Sequence, residues 1–225
     1  MNANKLRMPI DISMTILSLL LMGGTVIFSF DIVHEILGMA LFVLWALHIW
    51  LNHRWYGSIL RGKYNAYRLM QTFVNIGILV CVILLIISGI LLSHHIFTFL
   101  KIEWGFGFAR ISHLVASHWY FLLMSIHLGL HAGMILKKMK VPSSGKKSLI
   151  LKILLLIIFL YGLYAFVSRG VWRYLILKQQ FFFFDMEKGC FLFVLDYLAI
   201  IVLFASLGHF AAKKMQSRIN KKVSD

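Results

Sequence analysis

The chain has 225 residues, of which 60% are hydrophobic and 14% charged, and its mean hydropathy is +0.85. No ordinary soluble domain of this length has such a balance. The formal charge of +15 sits in short basic clusters between apolar runs rather than on an amphipathic surface. That placement excludes a nucleic-acid-binding role and reads as membrane topology.

Six apolar stretches are long enough to span a bilayer: 8–30, 32–51, 69–92, 111–136, 149–167 and 191–212. With six spans, one side of the membrane carries 17 of the 23 basic residues. They run from Lys5 and Arg7, through Arg54, Arg61, Lys63 and Arg68 and the lysines between 137 and 152, to Lys213, Lys214, Arg218, Lys221 and Lys222. The positive-inside rule then places both termini in the cytoplasm, with a prokaryotic cytoplasmic membrane as the expected location. The first run follows a short basic stretch, but its length and the lack of a small-x-small site before Asp31 favour an uncleaved span over a signal peptide. Cys81 falls at mid-membrane and Cys190 near an outer surface, too far apart in depth for a disulfide. A C-x-x-C-H sequence is absent, which excludes covalent c-type haem attachment.

One spacing occurs twice. His34 and His48 are fourteen residues apart, as are His113 and His127, and the two pairs match at a constant offset of 79 residues. On a helix, fourteen residues return the second side chain to within about 40° of the first and separate the two by about 21 Å. The runs HEILGMALFVLWALHIWLNH from His34 and HLVASHWYFLLMSIHLGLH from His113 thus read as two copies of one helical hairpin motif. Each ligand helix offers two imidazoles on one stripe, near opposite faces of a hydrocarbon core roughly 30 Å thick. Facing one another, the two helices would hold two stacked haems, each six-coordinate through two axial histidines and suited to electron transfer rather than oxygen binding.

Other residues are ranked around that frame. His131 shares the stripe of His113 and is the alternative inner ligand, although only His127 repeats the span of His48. His95, like His94 beside it, ends the third span and could compete at the outer haem; His53 and His118 lie off the stripe and read as interfacial residues. Gly38, Gly129 and Gly133 leave room for a flat macrocycle, and Ser112 and Ser125 are candidate partners for the ligand rings. Arg54 on the inner side and Arg110 on the outer side are placed to meet haem propionates, with topology anchoring as the plainer alternative. Most tryptophans and tyrosines belong to an aromatic belt, and Phe181 to Phe184 form a connector at the outer surface. The fold expected is all-α, a polytopic membrane protein of six transmembrane helices. It divides into a four-helix haem-binding core, 1–140, and a C-terminal helical hairpin with a basic tail, 141–225. The segment holding Pro142, Ser143, Ser144 and Gly145 marks the boundary.

Three stretches, LHIWLNHRWYGSILRGKY, SGILLSHH and ARISHLVASHWYFLLMSIHLGLHAGM, resemble the flavinylation-associated cytochrome domain, long known as a domain of unknown function. The similarity covers most of 8–137, and LDYLAIIVLF resembles the C-terminal hairpin of longer members. The resemblance implies a b-type membrane cytochrome with two b haems, the outer one on His34 and His113 and the inner one on His48 and His127. It also implies an extracytosolic partner carrying covalently attached FMN, while a membrane quinone is a further expected partner. The expected function is that of an electron carrier within an oxidoreductase system, with two rivals. One is the membrane subunit of a reductase for ferric iron or another small acceptor. The other is a histidine-using metal carrier or transporter, which the scarcity of midplane acidic residues weakens.

Overall fold

The computed structural model describes residues 3–27, 30–62, 64–142, 144–185 and 187–224, without the side chains of 3–5, 25–26 and 219–224. Lys63 and Ser143, and the side chains of Lys5, Lys221 and Lys222, therefore lie outside the described residues. Within them the protein is all-helical and has no strands. The helices are α1 (Ala3–Leu21), α2 (Gly24–Ile27), α3 (Asp31–Leu51), α4 (His53–Ser58), α5 (Ala66–Leu92), α6 (Phe106–Lys138), α7 (Gly145–Ser168), α8 (Val171–Leu175) and α9 (Gly189–Ser224). A 3-10 turn, Thr98–Leu100, lies between α5 and α6.

Five helices, α3, α5, α6, α7 and α9, are long and apolar enough to cross a membrane, the signature of a multi-pass membrane protein. They coincide with the second to sixth stretches expected from the sequence. The first stretch differs: α1 carries Arg7, Pro9 and Asp11 in its first half and ends at Leu21, and α2 begins only after a break. Gly24 enters that break with φ +59, a left-handed conformation that costs a glycine little. Among the described residues, 8–30 is therefore not one continuous helix, and residues 28–29 lie outside the described set.

Local chemistry explains the other ends. Asn52 stops α3, its side-chain amide donating to the His48 carbonyl at 2.8 Å. Asn65 Oδ1 accepts the Arg68 backbone N–H at 2.8 Å at the start of α5. At the end of α7, Gly170 takes φ +65 and its N–H donates to the Val167 carbonyl.

The chain divides into two compact units that share α5, α6 and α9. One comprises Met1–Lys63, Cys81–Ser117 and Gln179–Val194, the other Tyr64–Val80, His118–Lys178 and Leu195–Asp225. In the first unit α1 packs along α3, and Arg7 donates from its guanidinium to the Leu51 carbonyl at 2.9 Å. Glu35 on α3 binds the far end of α5. Its carboxylate accepts the Ser93 hydroxyl at 2.6 Å and the backbone N–H groups of His94, His95 and Ile96.

In the second unit small residues let helix backbones meet, the usual means of association where lipid is the solvent. Gly129 of α6 lies against the Ala205 backbone of α9, Gly162 of α7 against the Ala199 backbone, and Gly208 against that of Ile126. On α7 only Ser148, Gly162 and Ala165 are buried, while leucines and isoleucines cover the rest of its surface. Such a helix has protein on one narrow stripe and lipid elsewhere. Asp196, though within α9, is buried and paired: Arg169 Nε donates to its Oδ2 at 2.7 Å, and the Tyr161 hydroxyl donates to Oδ1.

Candidate functional site

In the first unit His34 on α3 and His113 on α6 have ring centres 6.3 Å apart and ring planes at 59°. Two imidazoles bound to one metal from opposite sides, with metal–nitrogen bonds of about 2.0 Å, hold their ring centres roughly 6 Å apart. Rings that both stand perpendicular to a macrocycle are free to differ by any rotation about the axis they share, so the 59° tilt is compatible with such a pair. A methyl group at Gly38, one turn from His34, would meet no atom within 4 Å, and one at Gly89 would lie 3.9 Å from His113 Cε1. The space a flat ligand needs on α3 is therefore not filled at Gly38.

Which nitrogen faces the ligand depends on what the other nitrogen does. The Ser88 hydroxyl donates to the Leu84 carbonyl of its own helix at 2.6 Å. Its oxygen is thus left to accept from His113 Nδ1 at 3.0 Å, and the lone pair of His113 falls on Nε2. His34 is half-buried beside the Gly24 backbone, and its Nδ1 makes no hydrogen bond of ordinary geometry among the described residues. His48 belongs to the same unit, where its Nδ1–H donates to Asp11 Oδ1 of α1 at 2.7 Å.

In the second unit His127 Nδ1–H donates to Asn75 Oδ1 of α5 at 2.8 Å. The His131 ring is 4.7 Å from that of His127 and lines a cleft of about 400 Å³ with Tyr67, Lys137, His209, Lys213 and Gln216. Three of the four expected ligands thus have Nδ1 held by a side-chain oxygen from another helix, each in the tautomer with its lone pair on Nε2.

None of those three anchors, Asp11, Asn75 and Ser88, was expected. Ser112 and Ser125, which were, donate to the Ala109 and Phe121 carbonyls of their own helix at 3.0 and 2.7 Å. In an apolar span a hydroxyl finds its nearest acceptor one turn back. Gly129 is taken up by the contact with α9, so it serves helix packing rather than cofactor space, whereas Gly133 is open. His118 is not interfacial: it is 1% exposed and stacks on Tyr174 with ring centres 4.2 Å apart. Its position off the ligand stripe turns it toward α8 instead of toward water.

His53 is exposed and donates to the Trp50 carbonyl, as an interfacial residue would. His94 and His95 are exposed and meet Glu35 through their backbones. Arg54 is exposed, and Arg110 lies with its guanidinium 4.1 Å from the centre of the Phe181 ring. Cys81 and Cys190 are both free thiols. Among the described residues no group of three or more His, Cys, Asp or Glu side chains converges as a metal site. Comparison of the chain with models of protein families, with curated proteins and with solved structures found no match in any of the three.

Proposed function

We propose that the protein is a di-haem b-type cytochrome that carries electrons across the membrane to or from an extracytosolic flavoprotein. The observation that carries this reading is the shared tautomer of His48, His113 and His127, each fixed through Nδ1 by Asp11, Ser88 or Asn75. A hydrogen-bonded Nδ1–H both orients an imidazole and strengthens it as a donor through Nε2. The His34 to His113 ring separation is what one axial pair requires, and a macrocycle that supplies four further donors needs only two from protein. A bare zinc ion, by contrast, takes four ligands in a structural site and at least three from protein in a catalytic one.

His34 and His113 would hold one haem, and the repeated spacing assigns His48 and His127 to a second. Bound haem would supply reversible one-electron chemistry at iron. The chain's own residues hold the His48, His113 and His127 rings in one tautomer through Asp11, Ser88 and Asn75.

A reduced-minus-oxidised optical spectrum of the purified full chain, with haem counted per polypeptide, tests the reading. Two b-type haems per chain are expected. Protein purified from a haem-replete host with no b-type absorbance would overturn it. Zinc retained in place of haem would favour a metal carrier.

A further inference from the structure

We propose that the cleft formed by α5, α6 and α9 within the second unit binds an anionic phospholipid, its phosphate held by Lys137 and Lys213 and the start of its tails lying on the apolar floor.

The cleft encloses about 400 Å³, the size range of ligand sites rather than of packing gaps. Its rim is cationic. Lys137 of α6 and Lys213 of α9 both line it, and each is preceded on its own helix by a half-buried imidazole, His131 six residues back and His209 four residues back. Tyr67 and Gln216 add a phenol and an amide. Ammonium, phenol and amide groups all donate hydrogen bonds, and a phosphate offers several charged oxygens to accept them.

No carboxylate on the lining helices answers that charge. Neither α5 nor α6 contains Asp or Glu, and Asp196, the one acidic residue of α9, lies thirteen residues before His209 and is held by Arg169 and Tyr161. Two ammonium groups around one cavity repel each other until an anion enters. Lysines that only anchor a helix behave differently: they spread over its surface toward the headgroups and share no cavity.

The floor selects an amphiphile. Leu130 and Ala212 are buried in a packed cluster with Val74, and Met134, 66% exposed, carries the apolar surface outward. A methyl group at Gly133 would meet no atom within 4 Å, so the wall is open there. Inorganic phosphate would occupy the rim and leave this floor bare. Both α6 and α9 are long and apolar enough to cross a membrane, and the cleft lies toward the end of α6 whose last turn carries Lys137 and Lys138. Basic pockets between membrane helices at that depth suit anionic headgroups.

Binding to the delipidated full chain in detergent micelles, read by native mass spectrometry, tests this with three probes: phosphatidylglycerol, zwitterionic phosphatidylcholine and inorganic phosphate. One retained phosphatidylglycerol per chain is expected, held at least about tenfold more tightly than phosphatidylcholine. Lys137→Gln combined with Lys213→Gln should weaken it about 25-fold, because each lysine near a lipid surface contributes about fivefold. Lys146→Gln combined with Lys147→Gln removes the same charge at the start of α7, outside the cleft, and should leave binding unchanged. Gly133→Leu keeps every charge, closes the open wall and should also weaken binding. Equal affinity for the two lipids, or an equal loss in the Lys146 and Lys147 variant, would mean diffuse attraction to a basic surface and overturn the proposal. Inorganic phosphate bound as tightly as phosphatidylglycerol through the same two lysines would overturn the lipid in favour of a soluble phosphate compound. None of these readouts depends on haem, so their failure leaves the cytochrome reading as it stands.

Discussion

Ser88 and His113 are joined by a hydrogen bond whose direction is set elsewhere: the serine proton is committed to Leu84, so the imidazole must be the donor. The consequence is an imidazole whose lone pair is fixed on Nε2 before any ligand arrives. Removing the acceptor leaves a buried ring N–H with no side-chain partner and a ring free to rotate. We expect Ser88→Ala to fold and to bind haem at the His34/His113 centre 10- to 100-fold more weakly, the range roughly typical of outer-sphere partners. Haem dissociation to an apo-acceptor, followed optically, measures this. Equal retention by wild type and variant would show that the hydroxyl does not hold the ligand ring.

His127 and His131 are adjacent on α6 but differently engaged. Asn75 holds His127 by Nδ1, whereas His131 faces the cleft at the basic end of the helix. His127→Ala should lower the haem content from two to one per chain, and His131→Ala should leave it at two. The opposite pattern would make His131 the ligand and Asn75 a mere packing residue for His127.

The Asp196 carboxylate is buried within α9, with Arg169 and Tyr161 as its partners. Breaking a buried ion pair by deleting one member strands the other charge, at a cost of about 3–5 kcal/mol. Asp196→Ala and Arg169→Ala should each destabilise the chain by that order, and Tyr161→Phe by about 1–2 kcal/mol. Reversible unfolding in mixed micelles reads these values. A loss below about 1 kcal/mol for Asp196→Ala would show that water or lipid headgroups already reach the pair.

Gly129 and Gly38 were expected to do the same thing and do different things. A methyl group at Gly129 would strike the Ala205 backbone, while one at Gly38 enters open space. Gly129→Ala should therefore separate α6 from α9 and cost about 1–3 kcal/mol, the usual range for overpacking. Gly38→Ala should leave the unfolding midpoint of the haem-free protein unchanged. If both variants unfold alike, the close approach of α6 and α9 is not what holds the second unit together.

The spans were readable because hydrophobic run length is a local property: a helix in lipid satisfies its own backbone, so about twenty apolar residues suffice to announce it. Over 8–30 the helix is broken rather than continuous. Polar Asp11 near its start and the Gly23–Gly24 pair near its end shorten the run, and hydropathy averaging hides both. Asp11 was passed over for a related reason, since a lone carboxylate in an apolar stretch acquires meaning only when its partner, thirty-seven residues on, is known. The available signal was that an acidic residue at that depth needs a partner.

By itself the sequence determined the helices and the histidine spacing, because both follow from the 3.6-residue repeat and the thickness of a bilayer. Only the tertiary structure decided which polar side chain meets which imidazole: Asp11 and not a serine for His48, Ser88 and not Ser112 for His113, Asn75 for His127. It likewise decided that Gly129 faces a helix while Gly38 faces open space. Those outcomes depend on how each helix is rotated about its axis. That rotation is fixed by contacts between residues distant in the chain, which no local periodicity encodes.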